Sequence, residues 1–127
     1  MISRDFNLRD NILEVTYLGE ITIKQFIEYG NAIMKDKKLP RNLKILTDAR
    51  NTTFDISYFK KENQLKLKEG MEKYLKHFTF ISVALIHSTP KETAISEIFK
   101  DNFKFDNYTQ KVFSTKEAAL NWLKNNF

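Results

Sequence analysis

The sequence contains no cysteine, which excludes disulfides, thiolate zinc sites and cysteine nucleophiles. Glycine and proline are scarce, at 3 and 2 of 127 residues, so there is little from which to build long loops or disordered linkers. Histidine occurs only as His77 and His87. One is expected to end a long helix and the other the strand that follows, at opposite ends of a sheet, so the two cannot share a metal. No apolar run approaches the length of about 20 residues needed to cross a bilayer. The opening Met1-Ile2-Ser3-Arg4-Asp5-Phe6 lacks the apolar core of a signal peptide, and a cytoplasmic location is expected.

What is present suits one globular domain over residues 1–127: 42% of residues are hydrophobic and 29% charged, and the length serves one core rather than two. The net charge of +5 is unevenly placed, because residues 35–76 carry twelve Lys or Arg against six Asp or Glu, and residues 1–34 three against five. No basic run is interleaved with aromatics as in nucleic-acid modules. The lysines therefore read as solvated helix faces, and no nucleic-acid partner is expected.

Hydrophobic periodicity predicts the elements. Residues 2–8 and 12–18 read as a hairpin linked by Arg9-Asp10-Asn11, with Leu13, Val15 and Tyr17 on one face, Glu14 and Thr16 on the other, and Gly19 as the end. Thr22 and Gln25 form a capping box for a helix over 23–36, whose buried stripe is Ile23, Phe26, Ile27, Gly30, Ile33 and Met34. After Pro40, residues 43–47 form a short strand, followed by a polar loop over 48–57. Ile56, Phe59, Asn63, Leu67, Met71, Tyr74 and Phe78 keep helical spacing, which predicts a helix over 57–76 capped by Asp55 or Ser57. Residues 79–86 read as a strand buried on both faces. Thr89-Pro90-Lys91-Glu92 opens a helix with the stripe Ala94, Ile95, Ile98 and Phe99. Residues 111–113 are a short last strand, and Ser114-Thr115-Lys116-Glu117 caps a helix over 118–125 docked by Trp122 and Leu123.

This alternation is α/β: a single domain with a five-stranded mixed sheet, an N-terminal hairpin and four crossover or terminal helices. Tyr17-Leu18-Gly19 before a helix opening at Ile21-Thr22, the stretch Lys44-Ile45-Leu46-Thr47-Asp48, the buried run 81–86 and the ending Val112-Phe113-Ser114-Thr115-Lys116-Glu117-Ala118-Ala119-Leu120-Asn121-Trp122-Leu123 carry a resemblance. Together they resemble the STAS and SpoIIAA-like proteins, in a small bacterial branch also related to the CRAL-TRIO lipid-binding domains. The resemblance implies strands in roughly chain order, crossover helices predominantly on one side of the sheet, and a non-catalytic regulatory or protein-interaction role. In the anti-sigma-factor antagonists of that family a serine in an Asp-Ser-Ser motif is reversibly phosphorylated. The matching stretch here is Asp55-Ile56-Ser57, so Ile56 stands at that position, and Ser57, Thr53 or Thr52 would have to substitute.

Ligands of open α/β sheets gather outside the carboxyl ends of the strands, which makes the loop 48–57 the expected contact surface for a protein partner. Its candidate residues are Asp48, Arg50, Asn51, Thr52, Thr53, Asp55 and Ser57. The alternative partner is a small apolar ligand or lipid. Eleven Phe and five Tyr exceed what a tight core needs, and Phe54, Tyr58, Phe103, Phe105 and Tyr108 fall outside the helix stripes, where they would line a pocket or the interface of a homodimer. Phe103 and Phe105 can point to one side together. His87, Ser88 and Asp48 invite a hydrolase reading, but no Gly-x-Ser-x-Gly elbow exists, and adjacent His and Ser on an extended strand point opposite ways. The chain is expected to have no catalytic residue and no cofactor, and not to be an enzyme.

Overall fold

The computed structural model describes residues 1–54 and 56–125. Asn11, held in the left-handed region at φ 57°, closes the turn between β1 (Ile2–Asn7) and β2 (Ile12–Glu20), and β1 lies antiparallel to β2. Three helices then cross over between parallel strands. These are α1 (Ile23–Lys35) before β3 (Asn42–Thr53), α2 (Lys61–Leu75) before β4 (Phe80–Ile86), and α3 (Pro90–Asn102) before β5 (Tyr108–Phe113). A terminal helix, α4 (Lys116–Asn125), follows. The sheet order is β1-β2-β3-β4-β5. Right-handed crossovers between strands laid down in chain order fall on one face of the sheet. That face buries Leu13, Val15, Tyr17, Leu43, Ile45, Ile81, Val83 and Leu85 with residues of α1 and α2.

The opposite face is less polar than its sequence suggests. Ile12, Leu46, Ala84 and Ile86 form an apolar strip that α4 covers with Ala119 and Leu123, both fully buried. Trp122 is only half-buried and packs its ring against Phe113 at 5.7 Å between centroids. The capping box of α1 is formed, with the Thr22 hydroxyl accepting from Gln25 N and the Gln25 side chain accepting from Thr22 N. The helices α1 and α2 meet closely at Gly30, where an added Cβ would sit 2.8 Å from Cδ1 of Tyr74.

Four local expectations are corrected. First, β2 does not end at Gly19 but runs through it to Glu20, with Gly19 at φ 71°. Second, the stretch 48–53 is not a loop: β3 extends to Thr53 and pairs there with Leu18, Gly19 and Glu20 after a register shift. A one-residue bulge of this kind bends the strand, and the Asp48 carboxylate stabilises it by accepting from the Arg50 backbone N at 3.1 Å. Third, α2 begins only at Lys61, and its N-cap, Lys60, makes no side-chain capping bond. Ser57 belongs instead to a short 3-10 turn over Ile56–Phe59, whose Ser57 carbonyl accepts from Asn63 Nδ2. Fourth, the last strand starts at Tyr108 rather than 111. The side chains of Ile95, Ile98 and Phe99, expected as the stripe of α3, lie outside the described set, as does Asp55.

Candidate functional site

Over the middle of the sheet, between its inward-facing residues and the helices α1, α2 and α3, the packing leaves a cavity of about 90 Å³. Inward positions of the strands supply Tyr17, Ile45, Thr47, Val83, Leu85, Tyr108 and Gln110. Phe26, Tyr29, Leu67, Met71 and Tyr74 close it from α1 and α2, and Ser96 and Lys100 from α3. All five tyrosines of the chain line this one space. The rings meet edge to face: Tyr17 with Phe26 and Phe54 at 6.4 Å each, and Phe54 with Tyr58 at 5.6 Å.

The hydroxyls of Tyr17, Tyr29, Tyr74 and Tyr108 are held un-ionised. Burial, and then the neighbouring phenols of Tyr29, Tyr108, Tyr74 and Tyr58, push Tyr17 well above its ordinary pKa. Burial likewise raises Tyr29, Tyr74 and Tyr108. Two hydroxyls have assigned tasks: Tyr58 donates to the carbonyl of Ile21, which pins the 3-10 turn to the start of α1, and Tyr108 donates to Oε1 of Gln110 at 2.9 Å. Among the described lining residues there is no carboxylate, and Lys100 is the one charged group.

His87 lies just past β4, fully buried beside this wall, with Nε2 2.6 Å from Ser96 Oγ and its ring 6.0 Å from that of Phe54. Its Nδ1 has no partner within ordinary hydrogen-bond geometry among the described residues. Burial pushes its pKa down, while an interaction with the Ala49 backbone pulls the other way. The folded protein therefore holds His87 neutral at a pH where the unfolded chain, with a histidine pKa of about 6.5, takes up a proton. The corresponding stability is complete above about pH 6.5 and is lost as pH falls from there toward the folded pKa, at no more than about 1.4 kcal/mol per pH unit. Urea unfolding near pH 7.5, 6.5 and 5.5 should show this fall in the wild type and a flatter profile in His87→Gln. Equal slopes for the two proteins would remove His87 as the cause.

The structure distributes the sequence-derived candidates unequally. Phe54, Tyr58, Phe103 and Tyr108 line the cavity, whereas Phe105 packs half-buried against the same core without reaching it. Phe103 and Phe105 are thus covered by the domain itself. Of the residues assigned to a contact surface, Arg50, Asn51 and Thr53 are exposed and Asp48 is partly so. Asp48 and Arg50 form a two-pronged ion pair, at 2.9 Å from Nε and 2.7 Å from Nη2, and these bonds hold the Asp48 carboxyl below its ordinary pKa. Thr52 is buried and its hydroxyl donates to the carbonyl of Gly19, so it is no part of the exposed set. Ser88 donates to the carbonyl of Arg50 rather than meeting His87, so Asp48, His87 and Ser88 do not assemble a triad. The sequence reading missed Tyr17, Tyr29, Tyr74, Ser96, Lys100 and Gln110 as members of one site. Tyr17, Tyr29 and Tyr74 at inward positions of three separate elements were the available signal.

No protein-family model matches the sequence, and no curated protein does. A structural match is found with a crystal structure of an uncharacterised protein of the DUF3478 family from Shewanella loihica PV-4, described as having a SpoIIAA-like fold. The TM-score is 0.62 at 18% identity, over 97% of this chain and 92% of that one. With its hairpin, chain-order sheet and one-sided crossovers, the chain has the SpoIIAA-like fold.

Proposed function

We propose that this domain is a non-catalytic binding module whose ligand is a small apolar molecule held in the aromatic cavity. The observation that carries this reading is the convergence of all five tyrosines, with Phe26, Phe54 and Phe103, on a single space of about 90 Å³. Interiors are ordinarily packed with few voids larger than a water molecule. Engineered apolar cavities of about 150 Å³ take up benzene or xenon, whereas clefts that enclose drug-sized ligands measure roughly 300–1,000 Å³. The space is smaller than the benzene-binding cavities, but partly exposed lining residues such as Tyr29 and Lys100 open it to solvent, so one ring or a short chain can enter there, and the volume argues against a whole lipid. Titration with toluene and cyclohexane, followed by two-dimensional amide NMR, should shift resonances at Thr47, Val83, Ser96 and Tyr108. A long-chain fatty alcohol should leave them in place. Shifts absent with every small probe would overturn the reading.

A second reading keeps the end of β3 as a protein contact. Beyond Asp48 the ladder of this strand runs with β2, and past the bond from Ser88 to the Arg50 carbonyl its exposed residues Asn51 and Thr53, with the Arg50 side chain beside them, stand where β4 no longer pairs. Thr53 and Ser57 are the hydroxyls that a kinase would address there, in a soluble regulatory setting. Retention of a partner by the wild type, and its loss with Arg50→Ala and Thr53→Glu, would support this. Equal retention by all three proteins would dispose of it.

A further inference from the structure

The electrostatics of the cavity narrow its ligand. The described wall offers hydrogen-bond donors and no carboxylate, with a single positive charge on the side of α3 and β5. Lys100 reaches the wall from α3 and remains partly exposed, with 41% of its side chain accessible. Its one close counter-charge among the described residues, Glu97, is 3.9 Å away and 46% accessible. Pairs this exposed and this long contribute little, so the ammonium group can turn to a better acceptor at small cost. Gln110 lines the same side, and because its Oε1 accepts from Tyr108, its amide N–H₂ is left to donate. The Ser96 hydroxyl in the same wall is already shared with Nε2 of the buried His87 at 2.6 Å. An amide and an ammonium group beside an apolar body together match an anionic oxygen on a compact hydrocarbon. A cationic ligand would meet a charge of its own sign and no carboxylate among the described lining residues.

We infer that the ligand is a small apolar acid, a ring or short chain bearing one carboxylate, with the carboxylate set between Lys100 and Gln110. This rests on the reading of the cavity as a small-ligand site, and the experiment separates the two. Benzoate and hexanoate would be titrated by amide NMR against their neutral counterparts benzamide and hexanamide, and against benzylamine. A charge-assisted hydrogen bond makes the acids bind about tenfold more tightly than the amides, with benzylamine weakest. Lys100→Met should collapse the ratio of acid to amide affinity toward one, while Lys104→Met, on an exposed residue outside the wall, should leave it intact. Amides that bind as well as acids, an acid preference that survives Lys100→Met, or an equal loss in Lys104→Met would each overturn the inference while leaving the cavity as an apolar site. No binding by any acid, amide or neutral hydrocarbon would overturn the site itself.

Discussion

Truncation of Leu123 to alanine should destabilise the domain by about 3 kcal/mol, within the range of roughly 2–5 kcal/mol for buried leucines. At this chain length that corresponds to a fall of roughly 10 °C in Tm. The side chain is fully buried against Ile12, Leu46, Ala84 and Ile86, on a sheet face that no other helix covers among the described residues. With α4 loosened, that strip would meet water over β2, β3 and β4. The neighbouring Trp122 is the larger residue and, from its sequence position, the natural anchor. It is nevertheless half-exposed, and its main partner, Phe113, is itself only partly buried. Trp122→Ala should therefore cost less than Leu123→Ala, on the order of 1–2 kcal/mol rather than the 3–5 of a buried tryptophan. Denaturant unfolding of both variants decides the matter, and the opposite ranking would mean that α4 docks through its ring.

Strands and helices whose own side chains alternate correctly were legible from the sequence. Residues 80–86 are apolar at every position but Ser82 because β4 is covered on both faces, and the Thr22–Gln25 capping box is a contact between residues three apart. What escaped was structure imposed from a distance. Asp48-Ala49-Arg50-Asn51-Thr52-Thr53 has the composition of a loop, and it is a strand because β2 runs long enough beside it and Thr52 bonds to Gly19, 33 residues away. The start of α2 was misplaced for the same reason. Ser57 has a cap's chemistry, but the bond from Tyr58 to Ile21, 37 residues off, holds the preceding turn in place. The five tyrosines lie on four strands and helices and one turn, so their convergence is a property of topology rather than of any local pattern. The Ser-His pairing likewise joins residues nine apart, on a strand end and a helix, rather than the adjacent His87 and Ser88.

Filling the cavity should abolish ligand binding and leave the fold intact, and this pairing of outcomes distinguishes a ligand site from a packing defect. Val83 is the position of choice, since it sits at the middle of β4, is 8% exposed, and lines the space directly. In a well-packed core, adding a ring at such a position costs about 1–3 kcal/mol through off-rotamer side chains and shifted backbone. Here some 90 Å³ of empty volume lies in front of it. The ring of Val83→Phe would enter that space and recover dispersion contacts that its lining lacks at present, so stability should stay within about 1 kcal/mol of wild type. Binding of toluene, or of benzoate, should meanwhile fall by at least about a hundredfold, because the ligand and the new ring compete for one volume. A variant that loses several kcal/mol would show that the space cannot accept a ring. A stable variant that binds as the wild type does would place the ligand elsewhere, and the β3 edge at Arg50, Asn51 and Thr53 would become the first surface to test.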